Sequence, residues 1–149
     1  MAAVNLDSLR TLWASIKSWL QSHLYDDETV LWTGSASNNI VLSEVTTNFN
    51  RIRIYYADND GREYAQEVRI FPPNGYFYDM ELRSYHSSSS SGPYLKSVLL
   101  STNNNDCKTI VWKTEYEANI TSSNTLTCSS YSSPRFTIKK VVGIHRVST

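Results

Sequence analysis

Three histidines, two cysteines and a few close carboxylates are the residues of this sequence with chemistry to offer, and their spacing decides how much of it can be used. His23, His86 and His145 are scattered, with no H-x-x-x-H or H-x-H step to gather imidazoles round an ion, so no metal and no cofactor is expected. Cys107 and Cys128 lack CxxC or Cys/His spacing. They can pair only if their strands are neighbours, and a reducing compartment favours free, packed thiols. His86 precedes the run Ser87–Ser91, half of a nucleophilic pair, yet no Gly-x-Ser-x-Gly elbow accompanies it and a serine run reads as a mobile loop. Asp79 and Glu81 stand at i and i+2, which on a strand puts both carboxylates on one face, as a glycoside hydrolase would need. Tyr78, Met80 and Leu82 take the opposite face, so the pair reads as the wet side of an amphipathic strand. Asp58-Asn59-Asp60-Gly61 opens like a calcium loop but lacks the later ligands, including a glutamate at the twelfth position, and a hairpin turn accounts for it. No catalytic residue is expected, and the chain does not read as an enzyme.

Tyrosines are the remaining candidates. Tyr76, Tyr78, Tyr85, Tyr94 and Tyr131 lie near turns among Ser and Asn. Tyrosine brings a large amphipathic surface at low entropic cost, the chemistry of adaptable binding loops, and sugars suit such surfaces. These five form the tentative ligand-binding set; the alternative, that half or more are ordinary sheet residues, stays open at this level.

The elements that must carry these residues follow from periodicity. Residues 1–25 form an N-terminal helical element in which Leu6, Leu9, Trp13, Ile16 and Leu20 recur in steps of three and four, the heptad spacing of an oligomerisation seam. Leu12, Trp19 and Leu24 widen that stripe beyond a two-helix seam, and Asn5 or Asp7 can cap its start. The rival reading packs the stripe on the chain's own β domain. The acidic break Tyr25-Asp26-Asp27-Glu28 ends the helical period, and residues 26–149 read as a β-sandwich domain.

Within that domain Thr29–Thr33 and Asn39–Ser43 read as a pair of strands joined by the turn round Gly34-Ser35-Ala36-Ser37. Arg51–Ala57 and Glu63–Phe71 form the clearest hairpin, turning at Asp58 to Gly61. Pro72-Pro73-Asn74-Gly75 reverses the chain into a strand Tyr76–Leu82, and Leu95–Ser101 resumes the sheet after the serine run. Thr109–Ile120 alternates Ile110, Trp112, Tyr116 and Ile120 against Lys113, Glu115 and Glu117, so the glutamates are expected on the wet face. Thr125–Ser129 and Arg135–Val142 close the domain, Lys139-Lys140 marking a bulge or a sheet edge. Eight or nine short strands predict a mostly β fold, an antiparallel sandwich of two sheets with a single N-terminal helix.

Lys and Arg balance Asp and Glu at 14 each, with no basic stripe, which argues against a nucleic-acid partner. No apolar run approaches the ~20 residues that span a bilayer, and the first residues have no signal-peptide pattern, so no membrane insertion and initial residence in the cytosol are expected.

The stretches Val30-Leu31-Trp32-Thr33-Gly34, Asn39-Ile40-Val41-Leu42-Ser43 and Phe49-Asn50-Arg51-Ile52-Arg53-Ile54-Tyr55-Tyr56, with Asp58 to Gly61 and the closing Ile138-Lys139-Lys140-Val141-Val142-Gly143-Ile144, resemble the receptor-binding or head domains of tail fibre proteins from tailed bacteriophages and prophages. The pieces bracket residues 29 to 146 and are strand patterns without a diagnostic catalytic residue. The resemblance implies a structural virion protein, commonly a homotrimer, assembled in the bacterial host cytoplasm. Its N-terminal part would join other tail proteins, and its β domain would meet a host surface glycan or envelope component. The chain departs from that group in having no long shaft or collagen-like repeat. It leaves room for a purely structural subunit at the neck, baseplate, tail tip or capsid surface, or for a carbohydrate-binding module.

Overall fold

The computed structural model describes residues 5–24, 27–70, 80–88, 92–103, 105–120, 125–131 and 134–146. Helix α1 spans Leu6–Leu24. Asn5 caps it, its side-chain oxygen accepting the Asp7 amide at 3.0 Å, and Asp7 places negative charge on the positive end of the helix dipole. Leu6, Leu9, Trp13 and Ile16 all face solvent, Trp13 at 64% exposure, as do Leu12 and Trp19. The seam is thus not buried on the β domain; the side chain of Leu20 lies outside the described residues.

Among the described residues nine strands follow and every pairing is antiparallel, giving a β-sandwich. The first sheet runs in the order β1 (Glu28–Ala36), β9 (Phe136–Arg146), β3 (Phe49–Asp58), β4 (Glu63–Arg69). The second runs β2 (Ile40–Val41), β7 (Thr109–Ile120), β6 (Gly92–Thr102), β5 (Met80–Ser88), with β8 (Leu126–Tyr131) also beside β7. Alternation sends Phe49, Ile52, Ile54, Tyr56, Ile138 and Val141 inward from the first sheet. Met80, Leu82, Val98, Leu100 and Ile110 meet them from the second, and together they close one core.

Three sequence-based expectations are corrected. β1 and β2 are not a hairpin: β1 pairs with β9 and β2 with β7, so the chain crosses from one sheet to the other between Ala36 and Ile40. Side chains support that crossing, Ser37 donating to the Phe136 carbonyl at 2.6 Å and Asn39 accepting the Trp112 amide at 2.7 Å. On β7 a bulge intervenes between Trp112 and Glu115, since Leu100 opposes Trp112 while Val98 opposes Glu115. An extra residue flips every later side chain, so Glu115 turns inward and is buried while Tyr116 and Ile120 turn out. The serine run is shorter as a loop than expected, because Ser87 and Ser88 belong to β5; residues 89–91 lie outside the described residues. The Lys139-Lys140 irregularity is a bulge in a central strand, with Tyr55 opposite Lys140 and Tyr56 opposite Ile138.

Register also defines two ends. Glu28, Arg51 and Ile144 lie together at the end that receives α1, whereas Asp58 and Phe136 pair at the other. From Arg51 to Asp58, β3 separates them by about 23 Å. The β3–β4 turn, the end of β5 with the start of β6, and the end of β7 with the start of β8 all fall at the end away from the helix.

Candidate functional site

At that far end the β3–β4 turn is held by one carboxylate. Asp58 Oδ1 accepts the amides of Asp60 and Arg62, both at 3.0 Å, and Gly61 completes the reversal at φ +79°, a conformation glycine adopts without strain. The other oxygen, Oδ2, points into the sandwich. There it meets Ser84 Oγ at 2.8 Å, His86 Nε2 at 2.8 Å and the Tyr64 hydroxyl at 3.2 Å. Alternation on β5 places Ser84 and His86 on the inner face behind Leu82, and alternation on β6 brings in Lys96 behind Val98. Asp58, Ser84, His86 and Lys96 are all buried.

Burial by itself would push the Asp58 carboxyl up. Hydrogen bonds from Ser84, the Arg62 amide, His86 and the Asp60 amide outweigh it and hold the group down at about 2. The His86 ring lies flat on Tyr94, with centroids 4.9 Å apart. Its Nδ1 stands 2.9 Å from Arg62 Nη1 and 3.1 Å from Asp60 Oδ2. Arginine can only donate and the carboxylates accept, so the His86 ring is set between donor and acceptor, Nδ1 facing Arg62 and Asp60 and Nε2 facing Asp58. Lys96 Nζ completes the cluster, donating to Asn59 at 2.6 Å and lying 3.3 Å from Asp60 and 5.2 Å above the Tyr94 ring.

The cluster contains a serine, a histidine and an aspartate, but not in a catalytic order. A triad places the acid on Nδ1 and the nucleophile on Nε2. Here Ser84 and Asp58 share Nε2, and Ser84 donates its own proton to Asp58. Asp58, Asp60 and His86 also bring three metal-type ligand atoms within 4.8 Å of one another. Two cations already stand among them, Lys96 on Asp60 and Arg62 on His86, and Asp58 Oδ2 accepts from three neighbours. Donors and acceptors are spent on one another, which is the arrangement of a locked structural network.

A second polar group lies across the same inner face. Glu115 is buried, its Oε2 accepts the Arg135 amide at 2.6 Å, and its Oε1 has no partner among the described residues. Burial pushes its carboxyl up, with the Arg135 amide and the Trp112 side chain opposing.

The tentative tyrosines part company. Tyr94 belongs to the inner cluster against His86, while Tyr85 sits on the reverse of the same sheet, 61% exposed. Tyr131 lies in β8 opposite Glu115, and its side chain is outside the described residues, as are Tyr76 and Tyr78 altogether. Asp79 is outside them too, and Glu81 pairs with Arg83 on the outer face. Cys107 precedes β7 and Cys128 pairs near its far end opposite Ala118, about 30 Å along the strand, so the two thiols do not meet. The buried Asp58–His86–Lys96 cluster escaped the sequence reading, though Met80, Leu82, Ser84 and His86 form one period-two series that carries the signal. Comparison of the chain with protein-family models, with curated proteins and with solved structures gave no match, so the functional reading rests on its own residues.

Proposed function

We propose that this chain is a virion protein of a bacteriophage tail or tail fibre, joined to its companions by α1 and mediating host attachment through the far end of its β domain. The observation that carries the reading is the exposed helical seam. Leu6, Leu9, Trp13 and Ile16 keep heptad spacing and face solvent, so their burial has to come from outside the chain's own core. Steps of three and four favour like helices as the occupant, and the added width from Leu12 and Trp19 favours three copies over two. A homotrimer joined this way would present its far-end turns outward, braced by the Asp58 network. A host surface glycan or envelope component is the partner expected there.

Sedimentation of the full chain tests the first half: a trimer is expected, and Trp13→Glu with Ile16→Lys should release monomers with the β domain still folded. A wild-type monomer would overturn it. Cell binding tests the second half. Purified trimer should adsorb to bacterial cells; binding to other virion subunits alone would favour the purely structural alternative.

A further inference from the structure

We infer that the outer face of the second sheet, at its far end, is a contact surface between copies of this chain. The outer faces of the two sheets differ in kind. The first is charged: Arg51 and Arg53 both reach Glu67 at 2.8 Å, Arg53 also meets Glu28, and Lys140 lies over the Tyr55 ring. The second is nearly neutral. Its register sets Tyr85 of β5 beside Leu95 of β6, Leu95 beside Ala118 of β7, and Ala118 beside Cys128 of β8. The next rung sets Ile120 against Leu126. Leu126 is 65% exposed, and Tyr116 and Ile120 are 43% exposed each. The charge nearest these rungs is Arg83, and it is closed on its strand neighbour Glu81.

Area and charge choose the occupant. The patch exposes on the order of 500 Å² of side chain, at the upper end of what monomers leave bare, yet short of the ~800 Å² per partner in a standard interface. Alone it does not hold two free copies; beside helices that already hold them it adds to the same assembly, because tethering raises the effective concentration. The inference therefore rests on the helical self-association proposed above. Copies joined by the helices bring the same rungs together round the symmetry axis, where like charges would crowd one another; the neutral face avoids this and the arginine-bearing face does not. Its centre, Leu95, Ala118, Ile120 and Leu126, is aliphatic, with the hydroxyls of Tyr85 and Tyr116 at flanking positions, a composition suited to packing against protein.

Cys128 is a thiol inside the patch and exposed in the single chain, so its alkylation reports whether the face is covered. Full-length protein is treated with a maleimide and the Cys128 adduct followed by peptide mass spectrometry, with the oligomeric state read in parallel by sedimentation. Labelling in the wild-type oligomer is expected to be roughly tenfold slower than in Ile120→Lys/Leu126→Lys, whose helix is untouched, and than in Trp13→Glu/Ile16→Lys, whose sheets are untouched. The helix variant keeps the test open should the sheet variant fail to fold. An oligomer in which Cys128 reacts at the rate of the helix variant overturns this inference and leaves the helical reading standing. A monomeric wild type overturns both.

Discussion

Two buried carboxylates respond to pH in opposite directions, and both responses follow from what touches them. Asp58 has its carboxyl held at about 2 against an ordinary 3.8, so the folded state binds its proton less tightly than the unfolded state. Its stabilisation is present above the ordinary value and is lost as pH falls toward about 2. The shift corresponds to roughly 2 kcal/mol. Asp58→Asn should cost about that much in urea unfolding at pH 7, and the gap to wild type should close as pH approaches 2. Glu115 has the reverse sign. Its folded value is raised above the ordinary 4.5, so its favourable contribution is present below 4.5 and is lost as pH rises through the folded value. Glu115→Gln keeps an acceptor for the Arg135 amide and removes the buried charge. Its urea midpoint should therefore exceed that of wild type at pH 7, and the advantage should vanish below pH 4.5; an unchanged midpoint at pH 7 would mean that the carboxyl is relieved by a group outside the described residues. The Asp58 turn was legible in the sequence because Asp-Asn-Asp-Gly is turn chemistry. What Asp58 does with its second oxygen was not, because its partners come from β5 and β6, and period alone does not say which strands face one another.

At the scale of elements, the sequence read strands well and bulges badly, for a physical reason. A bulge adds one residue without changing composition, so only its effect on alternation can betray it. Lys139-Lys140 did so, because two lysines in succession break the apolar period. On β7 the residues of the irregular step, Lys113 and Thr114, are polar and exposed, and the glutamates continued a plausible wet face that is in fact the inner one. Packing against the bulged strand β9 is close. Gly143 lies under the fully buried Phe49, and a Cβ there would overlap the ring. Arg146 also packs on Phe49, its guanidinium 4.9 Å from the ring centre and paired with Glu44 at 2.8 Å. Gly143→Ala should therefore cost about 1–3 kcal/mol by overpacking, read from urea unfolding. Phe49→Leu in the same chain should recover part of that loss, which a purely backbone effect of the alanine would not allow.

On the proposed reading, the whole molecule divides its tasks between two ends. The sandwich itself was legible from strand count and turn chemistry, and the placement of β1 and β2 in different sheets was not, since the partner of β1 is the last strand of the chain and no local turn records it. The exposed seam of α1 was legible as a pattern; that its own domain leaves it bare required the structure. This has a thermodynamic consequence. If copies are joined through the seam, the folded assembly is stabilised by mass action and its melting temperature must rise with protein concentration, whereas a folded monomer melts at one temperature regardless of dilution. Wild-type protein should gain a few degrees for each tenfold increase in concentration, since ~1.4 kcal/mol per released subunit is at stake. Trp13→Glu/Ile16→Lys should melt independently of concentration, with the β domain's circular dichroism unchanged, because neither substituted position belongs to the core. Residual concentration dependence in that variant, abolished by Ile120→Lys/Leu126→Lys, would assign the remainder to the neutral face of the second sheet. A concentration-independent melt in the wild type would leave the helix without companions and remove the basis for an assembled attachment protein.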